Sequence, residues 1–152
     1  MKQSPKDQRL EQMLRSSGIV AGGFLGTDNR PVPDIIAADR AALEVLGFTP
    51  EQVGQRMQDL TDTARPRLGT EVVIDDRLVV WCEEWKGPMI CPWPHGGRFD
   101  KRLTTVRRTD TGQTISWTDL NIHLIAEHGF FEGRGAAFRL EPEDLVDILF
   151  PG

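Results

Sequence analysis

Apolar residues recur every three or four positions through the first third of the chain, which is the spacing of one face of a helix. The pattern predicts a short helix over residues 4–15 and two longer helices over residues 33–46 and 50–65. The first helix would belong to a loosely packed arm covering residues 1–17. The other two would form an αα-hairpin over residues 33–65.

The junction between the two longer helices carries clear local signals. Gly47 suits the left-handed residue that follows a helix. Thr49 and Gln52 form a capping box, in which each side chain accepts a hydrogen bond from the backbone amide of the other residue. Pro66 ends the pattern, because proline cannot continue a helix.

The same segment has the outline of a DNA-binding helix-turn-helix, which supplies one functional hypothesis. The face that its second helix would offer to DNA is nearly neutral, because Glu51 and Asp59 offset Arg56. A recognition helix normally gains affinity from positive charge, since DNA is a polyanion. Nucleic-acid binding is therefore the least favoured of the three functional hypotheses.

From residue 70 onward the apolar pattern changes to that of β-strands, with turn signals between the segments. Residues typical of strands occupy segments 71–74, 78–85, 89–91, 103–107 and 114–117. Short connections between consecutive strands favour antiparallel pairing. The pattern predicts a β-meander over residues 70–117.

The last part of the chain, residues 118–150, is predicted to form a helix, a strand and a helix. These elements are expected at residues 118–128, 136–140 and 142–150. Ser116 and Asp119 would be the capping pair of the first of these helices. The whole pattern indicates an α+β fold, with N-terminal helices, a central antiparallel β-meander and C-terminal helices packed as two layers in a single domain.

Length and composition fit one globular domain over residues 1–152. The net charge of −5 argues against general binding to nucleic acids or anionic membranes. The charged N-terminal segment lacks the apolar centre of a signal peptide, and no apolar run approaches the roughly 20 residues that span a bilayer. These features predict a soluble, cytoplasmic protein without membrane association.

Both cysteines fall in the longest strand-like region. Lys86 and Gly87 are expected to form a turn that folds residues 78–91 into a hairpin. In that register Cys82 lies directly opposite Cys91, with Cβ atoms about 4.5–5.5 Å apart. A cytoplasmic location disfavours a stable disulfide, so the two thiols would either pack in the core or share a metal ion.

A third metal-binding side chain, His95, follows Cys91 in the sequence CPWPH. Zinc prefers thiolate and imidazole ligands, and its structural sites have four of them. Cys82, Cys91 and His95 would therefore need one histidine from the helix over residues 118–128. This gives the second functional hypothesis, a zinc-binding protein with a structural site or a metal-dependent hydrolase activity.

Helical geometry distinguishes the two histidines of that helix. Asp119, His123 and Glu127 recur at every fourth position, which predicts a solvent-facing stripe. His128 lies nearer the apolar side, at the C-terminal end, where it would cap the last carbonyl groups. This geometry favours His128 over His123 as a partner of the cysteines.

Two loops have the composition of binding loops. Residues 92–98 combine prolines, a tryptophan and glycines, and residues 128–135 are rich in glycine. Backbone amides and arginines in such loops suit an anionic ligand. The side chains expected to line this site are Trp93, His95, Arg98, His128, Arg134 and Arg139.

The leading functional hypothesis is a ligand- or partner-binding regulatory module. Its site would lie at the hairpin loop of residues 81–98 and at the end of the helix over residues 118–128, and its partner would be a small molecule or another protein. The sequence has no nucleophile elbow, Walker sequence or HExxH motif, which favours a protein without catalytic activity of its own. The hypothesis requires the candidate side chains to lie within about 15 Å of one another.

Overall fold

The computed structural model describes residues 4–15, 23–95 and 97–151. Within these residues the helices are α1 (Pro5–Arg15), α2 (Val32–Val45), α3 (Pro50–Ala64), α4 (Asp119–His128) and α5 (Pro142–Leu149), with one 3-10 turn at Arg65–Arg67. The strands are β1 (Val72–Ile74), β2 (Leu78–Ile90), β3 (Arg98–Arg108) and β4 (Thr114–Thr118). They form one antiparallel sheet in the order β1-β2-β3-β4. The predicted α+β single domain, with helices before and after a β-meander, is confirmed.

The connection between α2 and α3 has the local geometry that the sequence predicts. Gly47 adopts a φ of 85° in the left-handed region. The amide of Phe48 donates to the carbonyl of Leu43, which closes the last turn of α2. Both hydrogen bonds of the capping box between Thr49 and Gln52 are present. The next helix, α3, packs against α4, α5 and β2, so much of its surface belongs to the protein interior.

One face of the sheet carries the larger hydrophobic core. Val80 and Cys82 on β2, Val106 on β3 and Trp117 on β4 are fully buried there. The indole N–H of Trp117 donates to the hydroxyl oxygen of Thr61 on α3 at 2.9 Å. This bond satisfies a buried polar group and ties the sheet to the helical layer.

The prediction that Lys86 and Gly87 form the turn of a hairpin is wrong. β2 continues through this segment to Ile90 and pairs with β3 along its length, with one irregularity between Glu84 and Pro88. Cys82 therefore lies opposite Thr104 of β3 and not opposite Cys91. The reason is that β3 begins earlier than the sequence pattern suggests, and so offers pairing partners to the last residues of β2.

An ion pair reinforces this register of β2 and β3. The guanidinium of Arg102 on β3 donates to Glu84 on β2 at 2.9 Å and to Asp119 at the start of α4 at 2.6 Å. Its side chain is only 7% exposed. A buried charge needs such partners, because an unpaired one is costly to remove from water.

The prediction of the capping residues of α4 is also wrong. Asp119 is bound by Arg102, and the capping box is formed by Thr118 and Asn121 instead of Ser116 and Asp119. The amide of Asn121 donates to the Thr118 hydroxyl at 3.1 Å, and the amide of Thr118 donates to the Asn121 side chain at 2.9 Å. The helix itself spans residues close to those predicted.

The strand predicted over residues 136–140 does not form. The segment consists of turns that lead into α5. The Arg139 guanidinium anchors it by donating to Asp39 of α2 and to the backbone carbonyl of Glu132. These bonds tie the segment to α2 and to the loop that follows α4.

A second core cluster joins α1, α2, α4 and the segment after β2. Its buried side chains include Leu14, Ile35, Leu124, Phe130 and Cys91. The helix α1 is anchored to this cluster by Leu14, whose carbonyl accepts a hydrogen bond from Phe24. Glu11 in turn accepts a hydrogen bond from the amide of Val32 at the start of α2.

One buried carboxyl group has an unusual environment. Glu132 is 3% exposed and adopts a left-handed φ of 67°. One of its carboxyl oxygens accepts a hydrogen bond from Asn121 at 2.8 Å, while the other has no hydrogen-bond partner among the described residues. Burial raises the pKa of Glu132 to about 8, against the opposing effects of Asn121 and Arg139.

None of the described helices has both the length and the apolar character needed to cross a membrane.

Candidate metal centre

Four side chains with metal-binding atoms converge at the surface end of the second core cluster. Cys91 and His95 come from the segment that joins β2 to β3, and His123 and His128 come from α4. One ligand atom from each residue lies within 4.8 Å of all the others. The group is therefore able to hold a metal ion.

The segment between β2 and β3 is a tight loop that brings two of these side chains close to α4. The amide of Cys91 donates to the carbonyl of Gly97 at 3.0 Å, which closes the loop. Within it, the amide of His95 donates to the carbonyl of Trp93 at 2.8 Å. Cys91 is 3% exposed at the base of the loop, and His95 lies exposed at the outer side.

The end of α4 supplies the other two side chains. Gly129 adopts a left-handed φ of 62° and ends the helix directly after His128. At about 100° per residue, His123 and His128 project about 140° apart around the helix axis. Their rings nevertheless meet, with centroids 5.1 Å apart, because both turn toward the loop.

Aromatic neighbours hold the imidazoles in place. The Trp93 ring stacks on His128 with centroids 4.0 Å apart and an interplanar angle of 12°. Phe99 on β3 packs against His123 with centroids 4.6 Å apart. Both histidine rings are therefore oriented by packing on one face as well as by the backbone.

The distances within the cluster are short. Cys91 Sγ lies 3.0 Å from His95 Nε2 and 3.6 Å from His128 Nε2. His95 Nε2 also lies 3.0 Å from His123 Nε2 and 3.3 Å from His128 Nε2. All three imidazoles thus present the same nitrogen, Nε2, to a common centre.

The protonation states follow from burial and mutual proximity. Burial, followed by the nearby His123 and His95, lowers the pKa of His128 to about 4. Burial also lowers the pKa of His123. The Cys91 thiol has a raised pKa, again because of burial. In the metal-free protein at neutral pH, His123 and His128 are neutral and Cys91 carries its proton.

His95 has a backbone contact that bears on its tautomer. The amide of Gly97 donates to His95 Nδ1 at 3.1 Å. A neutral ring that accepts at Nδ1 carries its proton on Nε2, which then can donate to the Cys91 sulfur. Coordination through Nε2 requires the proton to move to Nδ1 and the Gly97 amide to turn away.

The structure brings together part of the site that the sequence predicts. Trp93, His95, Cys91 and His128 lie side by side. Cys82 belongs to the other core cluster, where its sulfur lies 3.2 Å from the Thr104 hydroxyl. Burial raises the pKa of the Cys82 thiol. Cys82 is therefore not part of the four-residue metal-binding group.

The three arginines of the predicted ligand site lie in different surroundings. Arg98 begins β3 and is exposed, as is Arg134, whose backbone amide donates to Asp28 at 3.1 Å. The guanidinium of Arg139 is bound to Asp39 and Glu141. None of the three contributes an atom to the four-residue group.

His123 is the member of the group that the sequence analysis assigned to a solvent-facing stripe. That assignment is wrong for two of its three residues, since Asp119 is bound by Arg102 and His123 faces the loop. Only Glu127 is exposed. The signal for His123 was its spacing from His128, with four residues between them, because zinc-binding histidine pairs commonly have three to five residues between them.

No family model, curated protein or solved structure matches this chain. Its function must therefore be argued from the chemistry of the site.

Proposed function

We propose that this protein binds one zinc ion through Cys91, His95, His123 and His128. The observation that carries the proposal is the convergence of one sulfur and three Nε2 atoms within 4.8 Å of one another. One thiolate and three imidazoles form a ligand set that suits zinc and is poorly suited to magnesium or calcium, which prefer oxygen ligands.

The spacing of the ligand atoms supports a tetrahedral ion. Zinc bond lengths of about 2.3 Å to sulfur and about 2.0–2.1 Å to nitrogen give tetrahedral edges of about 3.6 Å from sulfur to nitrogen and about 3.3 Å between nitrogens. The Cys91–His128 distance is 3.6 Å and the His95–His128 distance is 3.3 Å. The two contacts of 3.0 Å, from His95 to Cys91 and to His123, need to lengthen by about 0.6 Å and about 0.3 Å to reach these edges. The two remaining pairs, His123 with Cys91 and His123 with His128, lie within 4.8 Å and need to close by at most about 1.5 Å.

A closed set of four protein ligands favours a structural role over catalysis. Catalytic zinc sites normally keep one coordination position for water or substrate. In this protein an ion would cross-link the β2–β3 loop, which provides Cys91 and His95, to the end of α4. Zinc would then fix the position of that loop on the helical layer.

The short distance from Cys91 to His95 also raises the alternative of a thiol nucleophile with a histidine base. Burial opposes it, because it keeps the Cys91 thiol protonated by raising its pKa. For zinc, the cost on the His95 side is the hydrogen bond from the Gly97 amide to Nδ1, which coordination would break. Losing that hydrogen bond costs about 1 kcal/mol, which a structural zinc ion, worth about 10–16 kcal/mol, offsets many times over.

The test is the metal content of untagged protein, measured by elemental analysis on the wild type and on two matched cysteine variants. Wild type and Cys82→Ser are expected to contain close to one zinc per chain. Cys91→Ser is expected to contain much less, since it removes the thiolate. Cobalt substitution adds a spectroscopic check, because a sulfur-to-cobalt charge-transfer band should be present in Cys82→Ser and absent from Cys91→Ser. Metal-free wild type, or equal loss in both variants, would refute the proposal.

Gly97 is expected to matter for zinc binding although it is not a ligand. A Cβ at this position would lie 2.5 Å from Cε1 of His95 and would displace its ring. In metal-free protein the exposed ring can move aside, so Gly97→Ala should change stability little. With zinc bound the ring is fixed, and we expect an affinity loss of about tenfold to a hundredfold, as for other residues that orient a ligand. Competition with a chromophoric chelator measures it, and an unchanged affinity would contradict the expectation.

A further inference from the structure

A groove lies beside the four-residue group, between α1 and the segment that follows β2. Its volume is about 630 Å³, which is within the range of small-molecule sites. One wall is formed by α1 and the other by the first residues of the β2–β3 loop. The residues that line it are Lys6, Arg9, Leu10, Met13, Cys91, Pro92, Trp93 and Pro94.

The floor and walls of the groove are largely apolar. Met13 is a large apolar side chain that is 47% exposed, and Trp93 is half-buried. Pro92 and Pro94 make the loop wall stiff, since proline restricts the backbone. The opposite wall is held in place because Leu14, the residue after Met13, is fully buried in the second core cluster. A ligand would therefore find an apolar surface that is already formed.

The charged side chains that line the groove, among those the structure describes, are two cations. Lys6 and Arg9 lie three positions apart on α1, so their side chains share one side of the helix. Both are exposed, and within the described part of the chain neither forms an ion pair. Among the residues whose side chains the structure describes, no carboxylate lines the groove. Positive charge concentrated here, in a chain with a net charge of −5, marks a site suited to an anion.

We propose that this groove binds a small apolar molecule carrying one anionic head group. The apolar part would lie against Met13 and Trp93, and the head group would lie near Lys6 and Arg9. The inference does not use the metal, although Cys91 is shared by both sites and Trp93 stacks on His128. A ligand in the groove would therefore contact the side chain that orients one of the proposed zinc ligands.

The test uses decanoate, decyl phosphate and decylammonium as probes, each below its micelle-forming concentration and each followed by calorimetry. Decanoate or decyl phosphate should bind saturably, and the tighter of the two identifies the head group. Decylammonium, with the same chain and the opposite charge, should bind at least about tenfold more weakly. Equal binding of the anionic and cationic probes, or no saturable binding of any probe, would overturn the inference.

Variants locate the site. Lys6→Gln combined with Arg9→Gln should weaken binding of the anionic probe by about tenfold, since the two substitutions remove both cations that would lie near the head group. Arg67→Gln combined with Lys86→Gln removes the same charge from exposed positions outside the groove and should leave binding unchanged. Equal weakening by both pairs would overturn the assignment. Titrations of zinc-loaded and metal-free protein keep this result separate from the zinc proposal, because binding to the metal-free form supports the groove by itself.

Discussion

Replacing His123 with alanine is expected to lower the affinity for zinc by more than about a hundredfold, beyond the effect of a residue that only orients a ligand. The reason is that His123 supplies one of four ligand atoms and has its Nε2 3.0 Å from that of His95. If the sequence-based choice of His128 alone were right, this substitution would leave the affinity nearly unchanged. The variant therefore distinguishes the two versions of the site.

The same substitution should remove most of the stabilisation that zinc provides. At free zinc about a thousandfold above the dissociation constant, binding stabilises the folded state by about 4 kcal/mol. For a domain of this size that raises the midpoint of thermal unfolding by about 10 °C. Wild type should show this increase over chelator-treated protein, and His123→Ala should show little of it.

Glu127→Ala is the matched control for His123→Ala. Glu127 lies one turn further along α4 and is exposed, so its removal should leave both zinc affinity and the thermal shift unchanged. Thermal unfolding followed by circular dichroism, with defined free zinc or with chelator, measures all three proteins. A thermal shift that persists in His123→Ala would remove this residue from the site.

Replacing Glu132 with glutamine is expected to stabilise the protein more at pH 8 than at pH 5. The gain in the free energy of unfolding differs by about 3 kcal/mol between the two pH values. The carboxyl is buried, and its pKa is raised to about 8 from an ordinary value of 4.5. The folded state therefore retains a proton that the unfolded state loses, so wild-type stability falls as pH rises from about 5 to 8. Glutamine resembles the protonated carboxyl and does not ionise.

The groups around Glu132 do not cancel this cost. Asn121 on α4 donates to one carboxyl oxygen, and the guanidinium of Arg139 donates to the backbone carbonyl of Glu132. Arg139 is itself paired with Asp39 and Glu141, which leaves little of its charge to stabilise a second carboxylate. Desolvation is the largest contribution, and it favours the neutral form.

Urea unfolding at several pH values between 5 and 8 measures this effect. The proteins are compared with chelator present, so that metal binding adds no pH dependence. The free energy of unfolding of wild type minus that of Glu132→Gln should fall by about 3 kcal/mol across the range. Parallel profiles for wild type and Glu132→Gln would show that this carboxyl ionises normally in the fold.

The cysteine register shows why part of the site could not be predicted. Lys86-Gly87-Pro88 is a typical turn sequence, and a hairpin centred on it would have placed Cys82 opposite Cys91. In the fold, β3 extends to Arg98, and Pro88 pairs with Asp100. The ion pair between the buried Arg102 and the exposed Glu84 reinforces this register. The turn preference of three residues contributes less free energy than hydrogen bonding along a whole strand. The sequence of the turn also does not indicate how long the partner strand is.

The histidines show the same limit for a helix. The four-residue spacing of Asp119, His123 and Glu127 describes a stripe correctly, but a stripe faces solvent only where nothing packs on it. Arg102 covers Asp119, and the β2–β3 loop covers His123. Whether a helical face is exposed depends on neighbouring elements that are distant in sequence.

The sequence by itself determined the order and type of most elements, the capping box at Thr49 and the concentration of thiol and imidazole groups between residues 82 and 128. These depend on apolar spacing and on hydrogen bonds within a few residues, which are local properties. Tertiary structure alone decided which cysteine joins the histidines, that both His123 and His128 belong to the group, and that α1 forms a groove beside it. Each of these depends on strand pairing or packing between segments far apart in the chain, and the local pattern does not specify those contacts.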